Sequence, residues 1–513
     1  MNWTAGYASD IEYVTGFYRE QSPGWLNLVC LLNGIQPVPL DQPYNYCELG
    51  FGRGLTAKVL AAGNPSGQFY AADFNPAHVA GASALAREAK LPNLTLLENS
   101  FEQLADGAVT LPQFDFITLH GIYTWVAADN RRHIVRFIER YLKPGGLVYV
   151  SYNAMPGWAP ALPLQRLLVD YADAFPKRSD LQIREAGAFV AQLEAAQAGY
   201  LAHNPGLKVR TEALKNSNPN YLVHEYLHKH WQPLFHADVA HDFDDAKLVF
   251  AGSAELHNAY PAIFLNDKQR QLIDQLPRAE ARETLKDYML NTSFRKDVFV
   301  RGAVRLGATR QAELMAQLGV VLTVPRASAS VTMKLSGGEI NGVPELYKPV
   351  LDALAQRPHT VGELARLPAL AAQGMQSVAQ IVALLSASGQ AAIHFPATAA
   401  ASPEAALRLN AVLATQARYS DEHNALSSPL LGSGVAASLV ERLFYLAVRQ
   451  RPEEVTAAAL AAFVWQIMKP SGRRVQRDGA ALASDEENLA HLEANARDFI
   501  TEKLPVWRAL RVL

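Results

Sequence analysis

An acid followed at alternate positions by three glycines, Glu48, Gly50, Gly52 and Gly54 in the stretch Tyr44 to Thr56 (YNYCELGFGRGLT), is an arrangement able to hold a small cationic molecule. Glycine permits the dihedrals of a tight turn and close backbone approach to a ligand, and the acid gives a positive group something to meet. A second acid, Asp73, stands about 20 residues past the glycines at the tip of another apolar run, Gln68 to Ala72, where a carboxylate can grip both hydroxyls of a ribose. Further on, HGIYTWV (His120 to Val126) and SYNAMPGW (Ser151 to Trp158) are dense in imidazole, amide and aromatic side chains. Such groups can orient a nucleophile and wall off a partly desolvated channel.

These residues need a scaffold that brings them to one edge. Tyr44 to Leu49 reads as a buried strand, Gln68 to Ala72 as a second, and Asn75 with Pro76 as the cap and first turn of a helix running to about Lys90. Strand and helix then alternate: Asn93 to Glu98, a short helix from Phe101, Phe114 to Leu119, a helix from about Asn130 to Tyr141, and Leu147 to Tyr152 after the turn Lys143-Pro144-Gly145-Gly146. This order predicts an α/β fold with a doubly wound parallel sheet, whose strand tips all open on one ligand-binding edge. Glu48, Asp73, Ser100, His120 and Asn153 fall on that edge. A dinucleotide fingerprint would place its third glycine five residues after the first, whereas Gly54 follows Gly50 by four.

Glu48, Gly50, Gly52 and Gly54 resemble motif I, E/D-x-G-x-G-x-G, of the class I S-adenosylmethionine (SAM) methyltransferases. SAM carries an ammonium and a sulfonium and no pyrophosphate, which suits an acid beside the turn. HGIYTWV, SYNAMPGW and NYLVHEYL (Asn220 to Leu227) resemble the bacterial methyltransferases with a methyltransferase regulatory domain, a group that includes rickettsial enzymes methylating lysines of outer-membrane proteins. The resemblance covers residues 11 to 305 well and the remainder weakly. It implies a class I, Rossmann-like fold with SAM as cofactor, held by Glu48, Gly50, Gly52, Gly54, Asp73 and Phe74. Many members carry an acid for the adenine amino group after the third strand. This chain has Asn99 or Ser100 to accept that hydrogen bond and Phe101 to pack on the ring. His120 could touch the adenine or serve as a base, Asn153 could accept a hydrogen bond from an acceptor amine, and Tyr123 or Tyr152 could orient it. Tyr13 and Tyr18, on an amino-terminal helical cover, are expected to line the substrate channel with Trp125, Trp158 and His224.

The 513 residues allow several domains. The expected partition is a helical cover (1–40), a SAM-binding domain (41–305) with a helical insertion at about 158–235, a winged-helix-like domain (306–400) and a helical carboxyl-terminal region (401–513). Lys247 to Ala251 and Lys296 to Arg301 fit an antiparallel pair closing the sheet. A helix, helix, helix, strand order over 346–395 suggests the winged helix. Its third helix, SVAQIVALLSAS, has no lysine or arginine, which favours protein contact over nucleic acid.

The formal charge of −2 excludes bulk attraction to nucleic acid or anionic membrane. The amino terminus lacks a secretory pattern, and the longest apolar stretch, Ala457 to Met468, is too short to span a bilayer. Cys30 and Cys47 read as buried thiols of a reducing, cytoplasmic setting, and no metal is expected: the histidines at 228, 230, 236 and 241 lack ligand spacing and read as helix surface. The expected partner is a protein substrate, and self-association through the apolar carboxyl-terminal helices is left open. Three readings follow: a protein lysine N-methyltransferase, a methyltransferase for a small molecule or peptide, or a non-catalytic SAM-binding regulator.

Overall fold

The computed structural model describes residue 11, residues 15–477 and residues 480–513. Its centre is a 7-stranded sheet. Strands β1 (Tyr44–Leu49), β2 (Gly67–Asp73), β3 (Leu94–Glu98), β4 (Phe114–Leu119) and β5 (Leu142–Asn153) are parallel, and β6 (Leu248–Ser253) and β7 (Phe294–Arg301) close it as an antiparallel pair. The spatial order is β3-β2-β1-β4-β5-β7-β6, so the strand direction of connection reverses between β1 and β4 and leaves a crevice at their carboxyl ends. β1, β4 and β5 are near-continuous apolar runs because helices cover both of their faces. This is the α/β class expected, with the class I methyltransferase topology.

The helices that aim residues at the crevice are α1 (Pro23–Leu32), α2 (Leu55–Gly63), α3 (Pro76–Glu88), α4 (Phe101–Asp106) and α5 (Ala128–Tyr141). Asn75 caps α3, its side chain accepting from the Ala77 amide at 2.9 Å. Ser100 and Gln103 form a capping box on α4. On one face of the sheet, α1 and residues 315–391 share a core with Tyr46, Phe116 and Tyr149. On the other, α5 packs over Cys47, Ile117, Val148 and Tyr152.

Several local expectations are corrected. Residues 15–18 form neither helix nor strand, and among the described residues only a 3-10 turn (Arg19–Gln21) precedes α1. The Tyr18 amide bonds the Thr56 hydroxyl at 3.2 Å, so this run is tied to α2 instead of to itself. The segment read as a turn before strand five belongs to β5, where a register shift opposite Phe114 and Phe116 absorbs it. His236 and His228 are buried, at 0% and 2% exposure, and do not lie on a helix surface. The carboxyl-terminal region holds a hairpin of Ala425–Ser428 and Ser433–Ala436 among its helices.

The insertion after β5 is helical and has its own core around Trp158, Leu164, Leu168 and Trp231. Beyond the sheet, β8 (Gly319–Leu322) is the central strand of a three-stranded sheet, between His359–Thr360 and Ala391–His394. A separate hairpin is formed by β9 (Thr332–Leu335) and β10 (Gly338–Asn341). Helix Gly374–Ala387, the third of the helix-helix-helix-strand order, buries Val378–Ser386 almost entirely. Among the described residues, no helix is long and apolar enough to cross a membrane.

The expected boundary at 400 is bridged by α2. Every residue of Leu55–Gly63 is buried, and Leu55, Val59 and Ala62 belong to the core of the carboxyl-terminal region. The Ser427 hydroxyl donates to the Val59 carbonyl at 2.9 Å, and the buried Asn64 amide donates to the Gly432 carbonyl at 2.7 Å. A chain ending at residue 400 would expose this face to water. Such a fragment is expected to be insoluble or to melt without cooperativity, as soluble yield and thermal unfolding would show; a soluble, cooperatively melting 1–400 fragment would contradict the packing.

Candidate active site

At the end of β1 the chain turns through Gly50, Gly52 and Gly54 at φ +70°, +57° and +69°, a region side chains rarely adopt. A Cβ on Gly50 would run into the Ile122 side chain. Asp73, at the tip of β2, holds the turn: one carboxylate oxygen accepts from the Gly52 amide at 2.8 Å, the other from the Asn75 amide at 2.9 Å. The oxygen that bonds Asn75 also stands 3.3 Å from His78 Nδ1, so the one that bonds Gly52 is the oxygen that retains a lone pair for a ligand hydroxyl. The buried Lys58 ammonium caps the turn from below, donating to the Arg53 carbonyl at 3.0 Å, and Arg53 pairs with Glu422 of the carboxyl-terminal region.

Glu48 is the anomaly of this turn. It is 4% exposed, and its Oε2 has no hydrogen-bond partner. Burial pushes its carboxyl up to about 8; Asp73 adds to the rise, while Gln21 and Lys58 oppose it. A buried acid with an empty acceptor beside left-handed glycines fits the ammonium of an amino-acid ligand. With Asp73 placed for ribose hydroxyls, the residues present fit SAM.

Across the crevice, His120 follows β4. Tyr18 stacks on its ring at 3.6 Å between centroids, and its Nδ1 lies 2.8 Å from the Tyr149 hydroxyl. Burial pushes the imidazole down to about 3, so it is neutral at physiological pH. The neighbouring Ser151 hydroxyl accepts from the Gly121 amide at 2.8 Å, and the Asn153 Nδ2, buried near the tip of β5, has no partner. Phe294 of β7 meets His120 edge to face. From the Tyr18 and His120 pair a cavity of about 590 Å³ runs past Phe294, Lys296, Glu255 and His257 to the surface.

Other expected residues lie elsewhere. Tyr123 is fully buried with its hydroxyl donating to Asp242 at 2.7 Å, and Tyr152 is fully buried with its hydroxyl donating to Asp297 at 2.6 Å. Both sit on the sheet face opposite His120, in the core under α5, so neither walls a channel. Trp158 lies in the insertion's core with the Arg210 guanidinium over its ring; Trp125 packs against the same core, and His224 bonds the Ile11 carbonyl at 3.2 Å. Ser100 is engaged as the cap of α4, Asn99 reaches Gln103, Phe101 lies near Gly50, and Phe74 is half-buried beyond Asp73. Tyr13 lies outside the described residues. Tyr149, Phe294 and Lys296 were missed. Tyr149 carried a signal: it shares a period-two register with Ser151 and Asn153.

Residues 47–146 match the family described as "Methyltransferase domain", and residues 218–301 that described as "Predicted methyltransferase regulatory domain". The chain is 35% identical to the protein sll1526 of Synechocystis sp. over 100% of both chains, and 22% identical over 42% of its length to RP028 of Rickettsia prowazekii, covering 86% of that protein. Its fold is similar to that of PKMT2 from Rickettsia typhi, solved in complex with AdoHcy: TM-score 0.70, 16% identity, 98% of this chain and 99% of that one covered.

Glu48 makes ligand affinity depend on pH. Below about 8 the free protein carries a proton there, which an incoming ammonium displaces. Calorimetric affinity for AdoHcy is therefore expected to rise with pH, by up to about tenfold per unit, and to level off above the shifted value. Glu48→Gln should bind more weakly and lose that slope; an unchanged slope would remove Glu48 from the ligand's ammonium.

Proposed function

The chain belongs to the class I methyltransferases with a methyltransferase regulatory domain, and we propose that it methylates nitrogen, the side-chain amines of lysines in a protein. SAM is its methyl donor and supplies an electrophilic methyl group whose sulfonium charge is lost on transfer. Glu48 would hold the donor's ammonium, the backbone at Gly50, Gly52 and Gly54 its amino-acid end, Asp73 its ribose, and Asn99, Ser100 and Phe101 its adenine.

The observation that carries the acceptor assignment is the cavity ending on Tyr18 and His120, which opens to the surface and is lined by both acids and rings. A long side chain of a macromolecule can enter it. Deprotonating a lysine at pH 7 costs about 4.6 kcal/mol, from roughly 3.4 pKa units at 1.36 each. His120 does not take that proton, because an imidazole pushed to about 3 cannot hold one at neutral pH. Instead Tyr18, His120 and Phe294 put rings around the inner end, which disfavours the ammonium and lets the proton leave to water. The Asn153 amide would orient the neutral amine, its oxygen accepting an N–H. Residues 306–400, winged-helix-like in element order, would serve protein contact, since the face of the third helix is buried within the chain.

Purified protein with methyl-labelled SAM and an extract of the source cell is expected to label a discrete protein band, recovered as methyl-lysine. Gly52→Arg, which fills the donor's approach at φ +57°, should abolish both labelling and AdoHcy binding. Label confined to small molecules would replace the protein acceptor by a metabolite, and tight SAM binding without transfer would make the protein a regulator.

A further inference from the structure

Most charges in the cavity that ends at His120 are paired. Arg295 bonds Asp287 at 2.8 Å and Glu283 at 3.2 Å, Lys286 also pairs with Glu283, and Lys296 bonds Glu20 at 2.8 Å. Glu255 differs. Its Oε2 accepts from the Ser336 hydroxyl at 2.9 Å and stands 3.8 Å from His257 Nε2. Among the described residues no lysine or arginine forms an ion pair with it. Burial holds the His257 imidazole below its ordinary range, so its nearest titratable neighbour is neutral at pH 7.

Glu255 is also at the rim. Ser336 and Gly337 are exposed at the tip of the β9–β10 hairpin, and a Cβ on Gly337 would press on the Phe264 ring at 3.2 Å. The hairpin comes from outside the central sheet and lies against the cavity wall, holding the one carboxylate whose charge is not answered. Its opposite end is built of rings: Tyr18, His120 and Phe294.

We propose that Glu255, positioned by Ser336, is the residue that selects the acceptor: it receives the ammonium of an incoming lysine at the rim and so admits primary amines over neutral chains of similar length. This rests on the methyl-transfer reading above. A partly desolvated carboxylate offers a charge-assisted hydrogen bond that a methyl or amide end cannot return. The charged form is favoured at Glu255 and disfavoured among the rings, so the proton is given up to water between the two.

Saturation-transfer NMR with Nα-acetyl-lysine amide and Nα-acetyl-norleucine amide tests this on the full chain loaded with AdoHcy. The lysine probe is expected to contact the wild type in clear preference to norleucine. Glu255→Gln should weaken that contact roughly tenfold while Glu255→Asp restores part of it. AdoHcy affinity unchanged within about twofold would show that the variants are folded. Equal contact by the two probes in the wild type overturns the proposal without any variant, and so does an undiminished lysine signal in a folded Glu255→Gln. In the transfer assay Glu255→Gln should raise KM for the labelled protein band with little change in kcat. Glu255-dependent lysine binding with no methyl transfer would sink the functional reading alone; equal transfer by wild type and Glu255→Gln would sink this one alone.

Discussion

A strand can show each side chain to only one face of its sheet, and in β5 that constraint decides what the site contains. Tyr149, Ser151 and Asn153 share the side where α1 and the residues before it lie, and there Tyr149 meets His120, on which Tyr18 stacks, while Ser151 meets Gly121. Val148, Val150 and Tyr152 project to the side covered by α5. One residue of slippage would exchange the two sets and leave the crevice without its imidazole partner. Antiparallel β7 pins the register along the whole upper strand, pairing Ser151 with Lys296 and Asn153 with Phe294. The same pairing brings Lys296 and Phe294 to the site.

The opposite face carries the heaviest charge burial. Asp297 accepts from Arg295 at 2.8 Å and from the Tyr152 hydroxyl at 2.6 Å, with His236 Nδ1 at 3.0 Å, all with little or no exposure. Burial would raise the Asp297 carboxyl, but Arg295 and His236 outweigh it and hold it below the usual carboxylate range. This network pairs the charges at the centre of β7 through one Asp297 oxygen, the other having no partner, and so a strand with Arg, Lys and Asp can sit inside a sheet. Glu48 is the contrasting case: Lys58 opposes the effect of burial without outweighing it, and the acid answers by keeping its proton. One buried acid therefore serves the fold and the other waits for a ligand.

What could be read from the sequence was local. The acid-glycine turn, the Asn75 cap, the alternation of strands and helices and the closing pair at β6 and β7 depend on neighbours within a few residues, and each is present. The side of the site was not legible in the same way. Aromatic residues in HGIYTWV and SYNAMPGW looked equivalent along the chain, yet Tyr123 and Tyr152 are hydrogen-bonded to acids from distant segments, Asp242 and Asp297. Trp158 was drawn into the insertion by Arg210 and Trp231, contacts no spacing rule contains. Likewise, nothing near α2 in the sequence announces the hairpin at 425–436 that covers its outer face.

That cover has an order of assembly built into it. The hairpin over α2 is itself held by late residues: the Ser428 hydroxyl donates to the Leu510 carbonyl at 2.6 Å, and the buried Asn410 amide bridges the carbonyls of Ser427 and Val512. During synthesis the glycine turn and α2 emerge more than 400 residues before the segment that finishes burying them. Until then the helix that supports the turn has an open apolar face. The nascent chain therefore cannot finish its donor site as a local unit, and the fold ties completion of that site to the arrival of residues near 512.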